Sequence, residues 1–209
     1  ESIISGAIPN GIPGFDPNID KPDYNPKKAK ALLSEAGIPE NLPLTITVIS
    51  NGSVPPSALA LQSYLIDMGF DTSIEQIAPS ARGKILKGDF DMTIQAISMD
   101  FPDPWIIFNF AFNSETIGYG NFSRYRNIEV DQIIKKADSI LDHSDRIEQY
   151  RIAHKMVMND NPTIILYQVD RTIAFQKNIK GLLYNFSQPL TYNVEDLRRV
   201  SISNMEKNQ

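Results

Sequence analysis

From residue 26 onward the apolar positions change their spacing several times, and each change marks an element. After Asn25-Pro26, which reads as N-cap and first helical position, Ala29, Leu32, Leu33 and Ala36 recur at helical spacing and Gly37 supplies the stop, which predicts a helix over 26–36. Residues 44–49 (LTITVI) are β-branched and bounded by Pro43 and Ser50-Asn51-Gly52, hence a strand. Residues 56–68 return to helical spacing with Gly69 at the stop, 72–77 read as a second strand, 80–87 as a short helix ended by Gly88, and 90–97 as a third strand. Strand, helix, strand, helix, strand with connections of this length predicts parallel crossovers, so the fold class is α/β, with a mixed, mostly parallel sheet covered by helices on both faces. A polar turn (98–103), an apolar segment (104–112) and a Gly-containing loop (118–127) follow. Charged helices are then expected over 128–141 and 144–159, a strand over 163–168 (TIILYQ), and a last helix signal over 194–199. Five of the 14 prolines fall in the first 26 residues, which predicts an extended lead-in there.

Composition narrows the function. With 209 residues, 42% of them hydrophobic, the chain can bury a working core, and one globular unit is the default. The net charge of −5 with scattered Lys and Arg argues against nucleic acid, which needs clustered cations to displace counterions. There is no cysteine, so no disulfide, thiol nucleophile or Cys-ligated zinc, and two histidines cannot make a His-rich metal site. No window reaches the run of about 18 apolar residues that a membrane-spanning helix requires. Residue 1 is Glu, and no charged start with an apolar run follows it, so the natural N-terminus and any signal segment are expected to be missing from this sequence.

The densest chemistry is Ser98-Met99-Asp100-Phe101-Pro102-Asp103-Pro104-Trp105, directly after the third strand. In open α/β sheets ligands gather beyond the carboxyl ends of the strands, so a site is expected at this turn. Asp103 before Pro104 reads as a helix N-cap. Asp100 precedes that cap by three residues, and its position leaves ligand contact and turn stabilisation equally open. Trp105, among Ile106, Ile107 and Phe108, reads as core rather than as a stacking platform. Tyr119, Asn121, Phe122 and Tyr125 lie on a loop, where aromatic side chains more often face a ligand or partner. His154 shares a helix face with Ile147, Tyr150, Val157 and Met158, which predicts a hydrogen-bonded, partly buried imidazole, while His143 is expected to be exposed. No GxSxG, HExxH, P-loop or GxGxxG pattern occurs. The enzyme reading that survives is a hydrolase using Asp100 and Asp103, disfavoured because two residues of one tight turn seldom flank a scissile bond.

Several short motifs occur in order: Ile8-Pro9 with Gly14-Phe15-Asp16-Pro17; Lys28-Ala29-Lys30-Ala31-Leu32-Leu33; Lys87-Gly88-Asp89-Phe90-Asp91-Met92; Asp100-Phe101-Pro102-Asp103-Pro104; Tyr125-Arg126-Asn127 with Val130-Asp131; Pro162 with Ile164-Ile165-Leu166-Tyr167; and Lys180-Gly181-Leu182. In this arrangement the chain resembles the C-terminal part of the family 5 extracellular solute-binding proteins, the oligopeptide and dipeptide receptors of ABC importers. The resemblance implies a type II periplasmic-binding-protein lobe over 26–183, entered through a lead-in over 1–25 and left by a tail over 184–209 that returns to a missing first lobe. It also implies an extracytoplasmic receptor without cofactor or covalent chemistry, partnered by a small peptide and by permease subunits. In peptide-binding members the first aspartate of the Asp-aromatic-x-x-Pro turn pairs with the peptide's α-ammonium group, and that position here is Asp100. Ser98 and Phe101 of the same turn, and Ile97, join it as expected ligand contacts. Many members carry tryptophan where this chain has Ile97, so the aromatic wall of the side-chain pocket is lost there. Oligosaccharide and nickel-chelate binding, known in relatives of the same fold, remain the alternatives.

Overall fold

In the computed structural model of the protein, residues 6–99, 101–169, 176–180 and 201–202 are described. The chain divides into two compact units: Glu1–Asp20, Ser98–Phe108 and Gln132–Gln209 form the first, and Lys21–Ile97 with Asn109–Asp131 form the second.

The second unit holds the parallel sheet. Helix α1 (Pro26–Glu35) is capped by Asn25, whose side chain accepts the Lys28 N–H, and is followed by β1 (Pro43–Ile49), α2 (Pro56–Met68) and β2 (Asp71–Ile77). A 3-10 turn at Pro79–Ala81 leads into α3 (Gly83–Lys87) and then β3 (Met92–Thr93). Gly69 and Gly88 end α2 and α3 at φ 101° and 78°, backbone that a side chain would strain. Strand order is β2-β1-β3, with β1 parallel to both neighbours. The predicted strands and crossovers are therefore present, although the third strand pairs over two residues only, Met92 and Thr93 against Ile46 and Thr47.

Alternation along β1 sorts the sheet's two faces. Ile46 and Val48 are fully buried with Ala58 of α2, and Leu61, Leu65, Ile74, Met92 and Ile94 pack around them. Burying one such aliphatic side chain is worth about 1.5–3 kcal/mol, so Ile46 and Val48 each stabilise the unit by that order. The opposite face is polar. Thr45 stands beside Ser73 and Thr47 beside Glu75 in the ladder, and the Thr47 hydroxyl donates to Glu75 Oε2 at 3.0 Å. Lys84 of α3 donates to both Glu75 oxygens at 2.6 and 2.5 Å, and this hydrogen bond holds the Glu75 carboxyl below its ordinary pKa. Helix α1 carries no buried residue, and Leu32, one of its helically spaced apolar positions, is exposed.

Helices α5 (Ile128–Asp138) and α6 (His143–Asp160) appear close to their predicted limits. Asn127 caps α5 by accepting the Glu129 and Val130 N–H groups at 3.0 and 3.3 Å. Asp142 caps α6 by accepting the Asp145 N–H at 2.9 Å, and α6 buries Ile147, Tyr150, Ala153, His154, Val157 and Met158. In the first unit, where an extended lead-in is expected, the chain instead makes consecutive turns closed by Ile12 N–H to Pro9 O and Phe15 N–H to Ile12 O, with Gly11 and Gly14 at positive φ. Ile8 and Ile12 are buried there. Gly6 lies so near α6 that a Cβ would come within 2.5 Å of His154 Nε2.

The strand expected over 163–168 does not form as such; among the described residues its one ladder position is Gln168, and Ile164, Leu166 and Val169 stay exposed. A β-branched apolar run fits a pleated surface but needs a neighbour's hydrogen bonds to become a strand. The helix signal at 194–199 lies outside the described residues. Ser201–Ile202 (β5) pairs antiparallel with Ile179–Lys180 (β4).

Candidate functional site

The turn after β3 is shaped by its two prolines and by Asp103. Pro102 and Pro104 bar regular structure on both sides, and Asp103 folds back so that its N–H donates to Phe101 O at 2.9 Å. Its side chain accepts the Trp105 N–H at 2.9 Å, which starts the short helix α4 (Trp105–Ile107), continued by a π-turn over Phe108–Phe112. The N-cap itself is Pro104, one residue later than expected, so Asp103 stands just ahead of the cap and holds the first helical N–H from there. Sequence reading missed its second partner: Arg146 of α6 grips both carboxylate oxygens, Nη1 to Oδ1 at 3.0 Å and Nη2 to Oδ2. The signal was there in principle, since Arg146 stands one turn before Tyr150 beside the buried stripe of α6.

Burial alone would raise the Asp103 pKa, but the Arg146 and Trp105 hydrogen bonds and the guanidinium charge outweigh it and hold the carboxyl below its ordinary value. The network extends inward. Arg146 lies 5.9 Å from the centre of the Tyr150 ring, Tyr150 packs on Phe108 with centroids 5.4 Å apart, and its hydroxyl donates to Asp138 Oδ1 at 3.0 Å. Burial, together with the Asp138 carboxylate, pushes the Tyr150 hydroxyl pKa well up, so it is a donor at every relevant pH. The Asp103–Arg146 pair therefore pins the turn to the 18-residue helix α6. Asp103→Ala should cost about 2 kcal/mol, below the usual range for breaking a buried pair because the two side chains keep 15% and 20% exposure. Urea denaturation measures this, and the near-ultraviolet signal of Trp105 should weaken in the folded state.

Asp100 lies outside the described residues. Ser98 and Phe101, in the first unit, are exposed; Ile97, at the end of the second unit's first segment, has 41% of its surface open. Trp105 corrects the core expectation, since 41% of it is exposed while Ile106, Ile107 and Phe108 are buried. The loop over 118–127 also departs from expectation. Tyr119 is exposed, as a ligand- or partner-facing aromatic would be, but Asn121 is fully buried and is the loop's structural knot. A polar hollow lined by Thr45, Glu75, Lys84, Asp89 and Asp91 lies in the second unit, where Lys84 and Glu75 satisfy each other. Among the described residues no cluster of three or more His, Asp or Glu could hold a metal ion, and no helix is long and apolar enough to cross a membrane.

A parallel βαβ sheet in one unit and the long helix α6 in the other belong to a fold of the type II periplasmic-binding-protein class. Solved structures share this fold: the periplasmic binding protein DppA of Helicobacter pylori in complex with the peptide STSA matches with TM-score 0.77 and 23% identity over 98% of this chain and 39% of its own. The oligopeptide-binding protein AppA of Bacillus subtilis, in complex with a nonapeptide, matches with TM-score 0.76 and 25% identity over 98% of this chain and 43% of its own. The profile of the bacterial extracellular solute-binding proteins, family 5 (middle region), matches residues 2–119. The chain belongs to this family. Among curated relatives, the probable D,D-dipeptide-binding periplasmic protein DdpA of Escherichia coli K12 is 31% identical over 94% of this chain and 38% of its own length. The chain thus spans about two fifths of the relatives it matches.

Proposed function

We propose that the chain is the C-terminal lobe of a receptor that captures small peptides outside the cytoplasm and hands them to the permease of an ABC importer. The observation that supports this most is the 31% identity, along nearly the whole chain, to a protein described as binding D,D-dipeptides. Family 5 consists of solute-binding proteins rather than enzymes, so the expected work is reversible capture with lobe closure and no covalent step. In this reading residues 26–183 form the lobe, 1–25 lead into it, 184–209 return toward a first lobe, and that first lobe is a partner supplied by the rest of the receptor.

Asp100 is the proposed anchor for the ligand's α-ammonium group, with Ile97, Ser98 and Phe101 as further contacts carried over from the sequence. A carboxylate desolvated against an ammonium ion makes a charge-assisted contact that is strong once water is excluded. Asp103 is a poor candidate for that role, because Arg146 and the Trp105 N–H already occupy its oxygens. The test is calorimetry on the full-length receptor with short peptides of L and D configuration and their N-acetylated forms. Acetylation or Asp100→Ala should each weaken binding at least 100-fold, in line with loss of a buried charge pair of about 3 kcal/mol or more. Equal affinity for free and acetylated peptides would rule out the ammonium anchor, and peptide turnover abolished by Asp100→Asn would return the hydrolase to consideration.

A further inference from the structure

The lead-in of the first unit meets α6 at His154. Two of its backbone positions close on this one ring: the Ile8 N–H donates to Nε2 at 3.5 Å, and Gly6 stands so near that a Cβ there would meet Nε2 at 2.5 Å and Cε1 at 2.9 Å. Ala7, Ile8, Ile12 and Ile19 of the lead-in are buried, each to 8% exposure or less. Because Nε2 accepts a hydrogen bond, the neutral ring carries its proton on Nδ1. A second proton turns Nε2 into a donor aimed at the Ile8 N–H, so two donors oppose each other where a bond stood. The close approach of Gly6 leaves no room there for a water or counter-ion to mediate. The groups around the ring do little to accommodate that proton. From the lead-in, the Asp16 charge favours it; the π-turn presents Phe108, which has no charge; on α6, Arg151 is paired with Glu148, and the Tyr150 hydroxyl is donated to Asp138 of α5. Burial outweighs Asp16 and keeps the closed ring neutral. Water reaches the ring once the lead-in lifts, and the backbone bonds of α6 need not break for that to happen.

We propose that His154 is an acid-sensitive latch: protonation of Nε2 releases residues 6–19 from α6 while the helix itself stays folded. At neutral pH the released form is a minor state, and acid populates it. Release uncovers Ile8 and Ile12, so it is reached at a free-energy cost below that of unfolding the unit but not for nothing. The latch is a property of the first unit by itself and does not depend on the peptide reading.

Hydrogen exchange of the full-length protein, corrected for the intrinsic pH dependence of exchange, reads the opening over residues 8–15. A ring with a pKa of 6.5 when open and about 4 when closed raises its open population about twentyfold between pH 7 and pH 5. Protection over 8–15 should therefore fall at least tenfold across that range, and at both pH values it should lie well below the protection of α6. The exchange should also be indifferent to about 1 M urea, since a local release exposes little surface, whereas exchange in α6 accelerates. In His154→Gln, whose amide oxygen can still accept the Ile8 N–H but does not titrate, the change with pH should shrink to about twofold or less. Gly6→Ala should lower protection over 8–15 at least tenfold already at pH 7, with α6 protected as before. Lead-in exchange that follows α6 in its urea dependence would show that the lead-in leaves only when the unit unfolds, and overturns the latch. So does a pH dependence that survives His154→Gln, and so does a His154 ring whose proton resonances titrate near pH 6.5 while protection over 8–15 stays constant. The urea and titration measurements need only the unmodified protein, so a variant that folds poorly does not shield the proposal.

Discussion

Asn121→Ala is expected to lower the unfolding free energy by about 4 kcal/mol, the cost of leaving several buried polar groups without partners. The side chain is fully buried in a loop, where backbone groups lack the regular pairing of a helix or sheet. Its Nδ2 donates to Asn113 O at 3.0 Å and Tyr125 O at 2.9 Å, while Oδ1 accepts from Tyr125 N at 3.0 Å and Ser123 Oγ at 3.2 Å. One amide thus ties both ends of the turn that sets up α5. The loop leaves no room to rearrange: a Cβ on the neighbouring Gly120 would fall 2.6 Å from both the Phe110 ring and the Phe110 carbonyl oxygen. A urea titration measures the loss, and amide exchange at Tyr125 should accelerate with it. A cost below about 1 kcal/mol would show that water satisfies these groups and that the knot is not structural.

The second large effect is on acid stability and belongs to His154. The imidazole is fully buried on α6, edge-on to Phe108 with ring centres 6.3 Å apart, and accepts a long hydrogen bond of 3.5 Å from the Ile8 N–H. Burial drives its pKa down from 6.5 to about 4, with Asp16 opposing weakly. The folded protein therefore keeps it neutral where the unfolded chain binds a proton. Between those two values the unfolded state holds the extra proton, so stability is full above pH 6.5 and falls as pH drops toward 4. A separation of 2.5 units at 1.36 kcal/mol per unit is worth about 3 kcal/mol. Carboxylates contribute to acid unfolding over part of the same range, so the measurement is the difference between the protein and His154→Gln in urea titrations at pH 7, 5.5 and 4. The variant should lose about 3 kcal/mol less across that span. Parallel pH profiles would mean that His154 is protonated in the fold.

What could be read in the sequence was what local chemistry decides. Gly69 and Gly88 end helices where expected because left-handed backbone is a local demand, and Asn25 caps where expected because an amide before a proline has few other uses, while Asp103 falls one residue ahead of the cap that Pro104 takes. The βαβ order was legible because β1 alternates cleanly between the core and a polar face. The His154 face was legible because the period of α6 is long and regular. The misses share a non-local cause. Arg146 meets Asp103 across 43 positions, and no local spacing encodes that meeting. Residues 163–168 have the composition of a strand, yet among the described residues only Gln168 takes a ladder position, and 90–97 extends past the two residues that β1 pairs. Trp105 was misread because apolar neighbours suggest burial, whereas the phase of a three-residue helix was set by a clamp elsewhere in the chain. Asn121 was seen as a loop residue of interest, but a buried amide that closes a turn looks in sequence like one that greets a ligand.

The bond between the Ile8 N–H and His154 also orders events in time. It closes a span of 146 residues, so the turns of the lead-in cannot settle on α6 until that helix has been synthesised. The parallel sheet needs only the stretch from Pro43 to Thr93, with β1 meeting β2 across one short crossover. During synthesis the nested unit is the natural first folder, and the unit built from three separate pieces of chain completes last, its early apolar residues Ile8 and Ile12 waiting uncovered in the meantime.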